Sequence, residues 1–175
     1  MNPKLAAQSA MVAALLALVS ASASAQVNTN TQVTSGSATI IQPISLNVAS
    51  SLSFGTVVRP SAASGSVVIT DGGAVSTTGG AVVLASSTTS HPVYTVGGEG
   101  GQAFTVTYPA TMVLTGPGGA TITCSLVHSG FPTTLSGSLG SAGTATFSGG
   151  GTLPLTNTTT TGAYSGSYSV TVAYN

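Results

Sequence analysis

Very few side chains in this sequence could carry acid–base, metal or nucleophilic chemistry. Its 175 residues include only two basic and two acidic side chains, together with two histidines. Hydrolysis by paired carboxylates needs two acidic groups close together, and nucleic-acid binding needs clustered Lys or Arg. The charges here are isolated along the chain, at Lys4, Arg59, Asp71 and Glu99. The composition therefore argues against both function classes.

The two histidines raise the question of a catalytic triad or a metal site. His91 and His128 could be combined with Asp71 and a serine, but the sequence holds no Gly-x-Ser-x-Gly elbow to present a nucleophile. Together with Cys124 they lack the close spacing of zinc ligands. The lone Cys124 cannot form an intrachain disulfide, and we interpret it as a small buried hydrophobe. We therefore expect no enzyme activity, no cofactor and no metal site.

The first 25 residues have the organisation of a signal peptide. Lys4 precedes an apolar run of ten residues, Ala10–Val19, and the small residues Ala23-Ser24-Ala25 follow. These features match the basic region, apolar region and cleavage site of an export signal. The run is much shorter than the roughly 20 residues that a membrane-spanning helix needs. We predict export, removal of residues 1–25 and a mature chain that begins at Gln26.

Alternation of apolar and polar residues dominates the rest of the chain. Runs with a period of two indicate short β-strands, and no segment sustains the period of an α-helix. Glycine clusters at 72–73, 79–80, 97–101, 116–119 and 149–151 are interpreted as turns. The predicted strands are Thr39–Val48, Leu52–Val58, Ser66–Thr70, Ala81–Ala85, Val93–Val96, Ala103–Tyr108, Ala120–Val127, Thr144–Phe147, Gly151–Leu155 and Ala163–Tyr174.

This pattern predicts an all-β fold for residues 38–175. About ten short antiparallel strands separated by turns are typical of a β-sandwich, and we expect an immunoglobulin-like or pilin-like one. Residues 26–37 are interpreted as an N-terminal extension, because Ser35-Gly36-Ser37 is a flexible break before the first domain strand.

Segments at both ends of the mature chain are amphipathic as strands. At the C-terminus, one face carries Tyr164, Gly166, Tyr168, Val170, Val172 and Tyr174. Such a face is suited to burial against a core. In the N-terminal extension, Val27, Thr29, Thr31 and Val33 share a face. The extension could therefore act as a detachable strand, and a disordered leader is the alternative interpretation.

Several stretches of the mature chain resemble a bacterial secreted family known only as domain of unknown function 4402. The stretches are ATIIQPISLNVASSLSFGTVV, SGSVVIT, GGAVVL, GGTLPLT and YSGSYSVTVAYN, and they cover roughly Ala38–Asn175. The resemblance implies export and a β fold. It implies no activity.

The two chain ends also resemble those of pilins assembled by the chaperone–usher route. Such pilins end on an alternating strand with a penultimate tyrosine and a glycine fourteenth from the end, and Tyr174 and Gly162 occupy those positions here. They also carry an N-terminal extension before an incomplete sandwich, and Gln26–Ser35 lies at the position of that extension. The resemblance implies a structural subunit of a surface fimbria that passes through the periplasm. Its implied partners are copies of itself or related subunits, a periplasmic chaperone and an outer-membrane usher.

A sandwich that lacks one strand exposes an apolar groove and unpaired backbone groups, and a donated strand satisfies both. On this hypothesis the face of Val27, Thr29, Thr31 and Val33 enters the groove of a neighbour. The C-terminal strand, from Gly162 to Tyr174, lines that groove. Two alternatives remain open: a monomeric secreted or surface-coat binding module, and a small outer-membrane β-barrel. A barrel needs aromatic girdles on many strands, whereas only the last strand carries several aromatics.

Overall fold

Residues 28–175 are described by a computed structural model and are almost entirely β. They form eleven strands and a short 3₁₀ turn at Pro117–Gly119, and none of them is α-helical. The predicted all-β fold class is confirmed. The strands are β1 (Ser45–Ser50), β2 (Val57–Val58), β3 (Ser64–Ile69), β4 (Val75–Thr78), β5 (Val82–Val83), β6 (Val93–Glu99), β7 (Phe104–Thr107), β8 (Thr111–Thr115), β9 (Thr121–His128), β10 (Ala142–Thr156) and β11 (Thr171–Tyr174).

Thr39–Asn175 form one compact unit. Its largest sheet has the order β1-β6-β10-β3-β4, and β9 and β8 extend this sheet from β10. All of these pairs are antiparallel, as are the two small sheets β2-β5 and β11-β7. Residues 28–38 have no regular secondary structure, and their side chains are exposed.

Two apolar clusters form the core of the sandwich. The first contains Phe54, Val67, Ile69, Ala81, Met112, Cys124, Leu126, Leu153 and Leu155. The second contains Tyr94, Val96, Phe104, Leu135 and Phe147. The half-buried rings of Tyr108 and Tyr168 pack against both clusters and so join them. Among residues 28–175, no helix is long and apolar enough to cross a membrane.

Strand β10 is one continuous strand of 15 residues. The prediction of a turn at Gly149–Gly151 between two separate strands is therefore wrong. Ala142–Ser148 pair with β6, whereas Gly151 pairs with both β3 and β9. The three glycines permit close contact where the strand changes partners: a Cβ on Gly150 would lie 2.6 Å from the carbonyl carbon of Thr70 and would collide with the carbonyl oxygen of Ile69. None of the three has a positive φ.

Other strand boundaries also differ from those predicted. Gly97 and Gly98 lie within β6 rather than in a turn, and β1 begins only at Ser45, after Pro43. Strands β4 and β8 were not predicted, because β4 is short and fully exposed and β8 follows a proline-containing bend. The predicted strand Ala163–Tyr174 has a continuous ladder only at Thr171–Tyr174, although Ser165 forms an isolated bridge with Thr115.

Candidate functional site

A large cleft opens between two segments of the sandwich. One segment runs from Leu46 to Arg59 and the other from Thr159 to Val170, and the cavity between them has a volume of about 850 Å³. Its remaining lining residues come from both core clusters and are apolar or aromatic, namely Tyr94, Met112, Leu114, Ile122, Leu153 and Leu155. Side chains of both core clusters therefore form the floor of this cleft.

The two segments that flank the cleft are bridged beyond each of its ends. At one end, the Tyr174 hydroxyl donates to the carbonyl oxygen of Gln42 at 2.9 Å and accepts from the backbone N–H of Glu99 at 2.7 Å. At the other end, the Arg59 guanidinium donates to the carbonyl oxygen of Thr159. Because Gln42 and Arg59 flank one segment and Tyr174 and Thr159 flank the other, the segments run antiparallel with a gap between them.

Unpaired backbone lies along both sides of this gap. Strand β1 is the terminal strand of its sheet and pairs only with β6 within the described part of the chain. Opposite it, none of the backbone groups from Gly166 to Val170 forms a hydrogen bond with another residue of the range 28–175. Such edges are templates for pairing with a further strand. The cleft therefore offers hydrogen-bonding groups at its sides and apolar surface between them.

The C-terminal segment has the alternation expected of a strand with one inward face. Tyr164, Tyr168, Val170, Val172 and Tyr174 are half-buried, and the residues between them are exposed. Their partners differ, since Tyr164 and Val170 line the cleft whereas Val172 packs in the second core cluster.

The two glycines of the C-terminal segment have different surroundings. Gly162 has φ +145°, and a Cβ there would meet the ring of Pro117, so the chain approaches this ring closely. Gly166 lies in the cleft wall, and its Cβ would collide with the carbonyl oxygen of Val113. Both positions therefore need a residue without a side chain.

The N-terminal residues of the predicted interface are not part of the sheet. Thr29, Thr31 and Val33 lie in the irregular stretch 28–38, and 93% of Val33 is exposed. Val27 lies outside the described residues. The side chains of Thr29, Thr31 and Val33 therefore do not pack against the core of the described chain.

Three tyrosine hydroxyls meet beside the cleft. The hydroxyl of Tyr168 lies 2.8 Å from that of Tyr94 and 3.2 Å from that of Tyr108. Burial raises the pKa of Tyr108 to about 12, and burial also raises the pKa of Tyr168. Both hydroxyls therefore remain protonated at neutral pH and can donate. Tyr94 and Tyr108 were not among the predicted site residues, because each lies on a different segment and no local pattern signals their convergence.

Glu99 is the one buried residue among the Asp, Glu, Lys, Arg and His residues in the described part of the chain, with 3% of its surface exposed. Its carboxylate accepts hydrogen bonds from the backbone N–H groups of Gln42 and Gly140. It therefore holds the residues before β1 against the loop that precedes β10. The position of Glu99 among four glycines gave no sign of this role, because the cluster resembles an exposed turn.

His128 and Cys124 have ordinary structural surroundings. The ring of His128 stacks on Phe131 with centroids 3.9 Å apart, and its Nδ1 accepts from the backbone N–H of Gly130. Cys124 is fully buried in the first core cluster, and burial raises the pKa of its thiol to about 11. Within residues 28–175, no group of three His, Cys, Asp or Glu side chains is placed to hold a metal ion.

Comparison with known proteins gives one match. A family model described as "Domain of unknown function (DUF4402)" matches residues 44–174, which include all eleven strands. No curated protein and no solved structure is significantly similar to the chain. The match spans both segments that flank the cleft and excludes the N-terminal extension.

Proposed function

Since the chain belongs to the DUF4402 family, whose description assigns no activity, we propose a function from the cleft: the protein is a structural subunit of a surface fibre that polymerises by donor-strand complementation. The observation that carries this proposal is the combination of an apolar cleft floor with unpaired backbone on both sides. A donated strand would satisfy both, since its backbone would pair with the edges and its inward side chains would cover the floor.

The length of the gap fits the N-terminal extension of another copy. The unpaired part of the cleft wall, Gly166–Val170, is about 13 Å long at roughly 3.3 Å per residue. The extension from Val27 to Val33 is seven residues long and is therefore long enough to span it. Its inward positions would be Val27, Thr29, Thr31 and Val33, and this order is the same when it is read in either direction. The match therefore does not depend on the direction of the donated strand.

Donation between copies would generate a fibre. The donated segment and the accepting cleft are different surfaces, so each contact is head-to-tail and leaves a free cleft and a free extension at the two ends of the assembly. The near absence of charge also supports this role, because an uncharged free monomer has little protection against association. A subunit sheltered by its neighbours does not need that protection.

The proposed role carries the expectations of export and of assembly partners. The leader of residues 1–25 would be removed, and the subunit would reach the cell surface through the periplasm with the help of a chaperone and an usher. Intact-mass measurement of the exported protein tests this step, with Gln26 expected as the first residue. The role requires no catalysis, so replacing His91 and His128 together by alanine should leave assembly unchanged.

A deletion of Gln26–Ser35 tests the proposal. The shortened subunit should bind a peptide of the deleted sequence but should not extend a fibre. The peptide should raise the thermal midpoint of the shortened subunit, because a ligand that binds only the folded state stabilises it by mass action. A scrambled peptide of the same composition is the control. The proposal is contradicted if the shortened subunit melts like the mature chain and does not respond to the peptide.

The volume of the cleft favours one second candidate. A cavity of about 850 Å³ lies within the usual range of small-molecule sites, roughly 300–1,000 Å³. A monomeric secreted binding module would use this volume for a small ligand and would have no use for the unpaired backbone at the cleft walls. The same deletion separates the two functions, because a small-molecule module keeps its thermal midpoint without residues 26–35.

A further inference from the structure

We propose that the hydroxyl cluster of Tyr94, Tyr108 and Tyr168 selects a strand whose two central inward side chains bear hydroxyl groups. The donated segment of the fibre model meets this requirement with Thr29 and Thr31. This inference rests on the proposed function and adds to it which kind of strand the cleft prefers. An all-aliphatic strand of the same length would then be a poorer occupant.

The first observation is the hydrogen-bond count within the cluster. Each tyrosine hydroxyl has one proton to donate and two lone pairs to accept. Two hydrogen bonds join the three hydroxyls, one between Tyr168 and Tyr94 and one between Tyr168 and Tyr108, and either hydroxyl of each pair can be the donor. These two bonds use two of the three protons, and no other residue of 28–175 accepts from the cluster. One donor and several lone pairs of the cluster are therefore left unpaired, and two of its three members, Tyr94 and Tyr168, line the cleft.

The second observation is where the cluster lies along the cleft. Tyr168 is the central residue of the unpaired stretch Gly166–Val170, and Tyr94 lines the same cavity. Apolar side chains line the cleft on either side of this point, with Leu46 and Val170 on one side and Met112 and Leu114 among those on the other. The cleft thus presents apolar surface towards its ends and hydroxyl groups at its centre. The order Val, Thr, Thr, Val in the extension has the same arrangement.

Selectivity would arise because the spare hydroxyl proton of the cluster loses its hydrogen bond to water when a strand displaces water from the cleft. A buried donor without an acceptor loses its hydrogen bond to water and gains nothing in return. A threonine hydroxyl can accept that proton, whereas the methyl group of an isosteric valine cannot. Because a hydrogen bond is worth about 0.5–1.5 kcal/mol net, replacing both threonines by valine should weaken binding about two- to twelvefold.

Binding of labelled peptides to the full mature chain tests this inference. The two probes are the peptide of residues 26–35 and its Thr29→Val, Thr31→Val variant, and fluorescence anisotropy at low chain concentration gives their dissociation constants. Each probe is measured on the unmodified chain, on Tyr168→Phe and on Tyr164→Phe. Tyr164 also lines the cleft, but its hydroxyl donates to Thr160 outside the cluster. It is therefore the matched tyrosine control.

We expect the threonine peptide to bind the unmodified chain about two- to twelvefold more tightly than the valine peptide. The preference should grow on Tyr168→Phe, because the protons of Tyr94 and Tyr108 then have no hydroxyl at residue 168 to bond, and it should be unchanged on Tyr164→Phe. Equal binding of the two peptides to the unmodified chain overturns this inference and leaves the fibre proposal standing, even if Tyr168→Phe does not fold. Binding of neither peptide overturns the proposed function itself.

Discussion

One added methyl group at the point where β10 changes partners should destabilise the fold. In Gly150→Ala, the new Cβ would lie 2.6 Å from the carbonyl carbon of Thr70, 2.9 Å from the backbone nitrogen of Asp71 and closer still to the carbonyl oxygen of Ile69. All three atoms belong to the backbone, so no side-chain rotation relieves the overlap. The strands must separate locally, although β10 holds β3, β6 and β9 together.

Overpacking of this kind costs about 3 kcal/mol, the upper part of the usual range for added methylenes, because backbone rather than side chains must move. For a domain of this size each kcal/mol lowers the thermal midpoint by about 2–4 °C. We therefore expect the midpoint of Gly150→Ala to fall by about 6–12 °C, measured by circular dichroism on heating.

Gly72→Ala is the matched control for this experiment. A Cβ on Gly72 would meet only the hydroxyl oxygen of Thr70, at 3.9 Å, and its φ is not positive. Its midpoint should be unchanged or rise slightly, because alanine reduces the conformational freedom of the unfolded chain. If Gly150→Ala melts within the experimental error of Gly72→Ala, the continuous path of β10 past Ile69 is refuted.

Three further predictions concern the segments that flank the cleft and the core beneath it. Tyr174→Phe should lower the free energy of unfolding by about 1–3 kcal/mol in urea denaturation, because the buried N–H of Glu99 loses its acceptor and the tie to Gln42 is lost. Val170→Asp should impair folding as well as assembly, because an unpaired carboxylate would enter a half-buried position at a cost of several kcal/mol; a soluble variant with the parental midpoint would contradict this. Cys124 should not react with a thiol reagent at pH 8 in the folded chain, because burial raises the pKa of its thiol to about 11. It should react fully in denaturant, and rapid labelling of the native chain would contradict its burial.

Local alternation made the inward face of the C-terminal segment predictable. Strand geometry puts every second residue on the same side, so Tyr168, Val170 and Val172 could be assigned to one face before any partner was known. Their half-burial in the structure follows the same period. The period did not reveal that Gly166–Val170 lack backbone partners, because pairing depends on segments elsewhere in the chain.

The features that the sequence could not reveal depend on contacts between distant residues. A glycine run has the same composition whether it forms a turn or lets two backbones approach, and only the position of Ile69 distinguishes these at Gly150. The hydroxyl cluster likewise joins Tyr94, Tyr108 and Tyr168 from three separate segments. A single tyrosine in a strand is usually just an aromatic core residue, so Tyr94 and Tyr108 did not stand out, and Tyr168 was predicted only as part of the inward face of the last strand.

The central claim is that the extension of one subunit occupies the cleft of another, and intermolecular cross-linking tests it most directly. Asn30→Cys places a thiol on the outward face of the extension, and Asn47→Cys places one on the exposed face of β1. The two variants are purified separately, mixed and treated with a short bifunctional maleimide. Cys124 is fully buried, so the native chain adds little background. Ser76→Cys, on the exposed edge strand β4 at the far end of the sheet, replaces Asn47→Cys in the control mixture.

We predict a covalent dimer that contains one copy of each variant in the Asn30→Cys and Asn47→Cys mixture, and none above background in the control mixture. An excess of the peptide of residues 26–35 should abolish this dimer, because it competes for the same cleft. Equal dimer yields in the two mixtures, or a yield that the peptide does not change, would contradict donation of the extension between subunits.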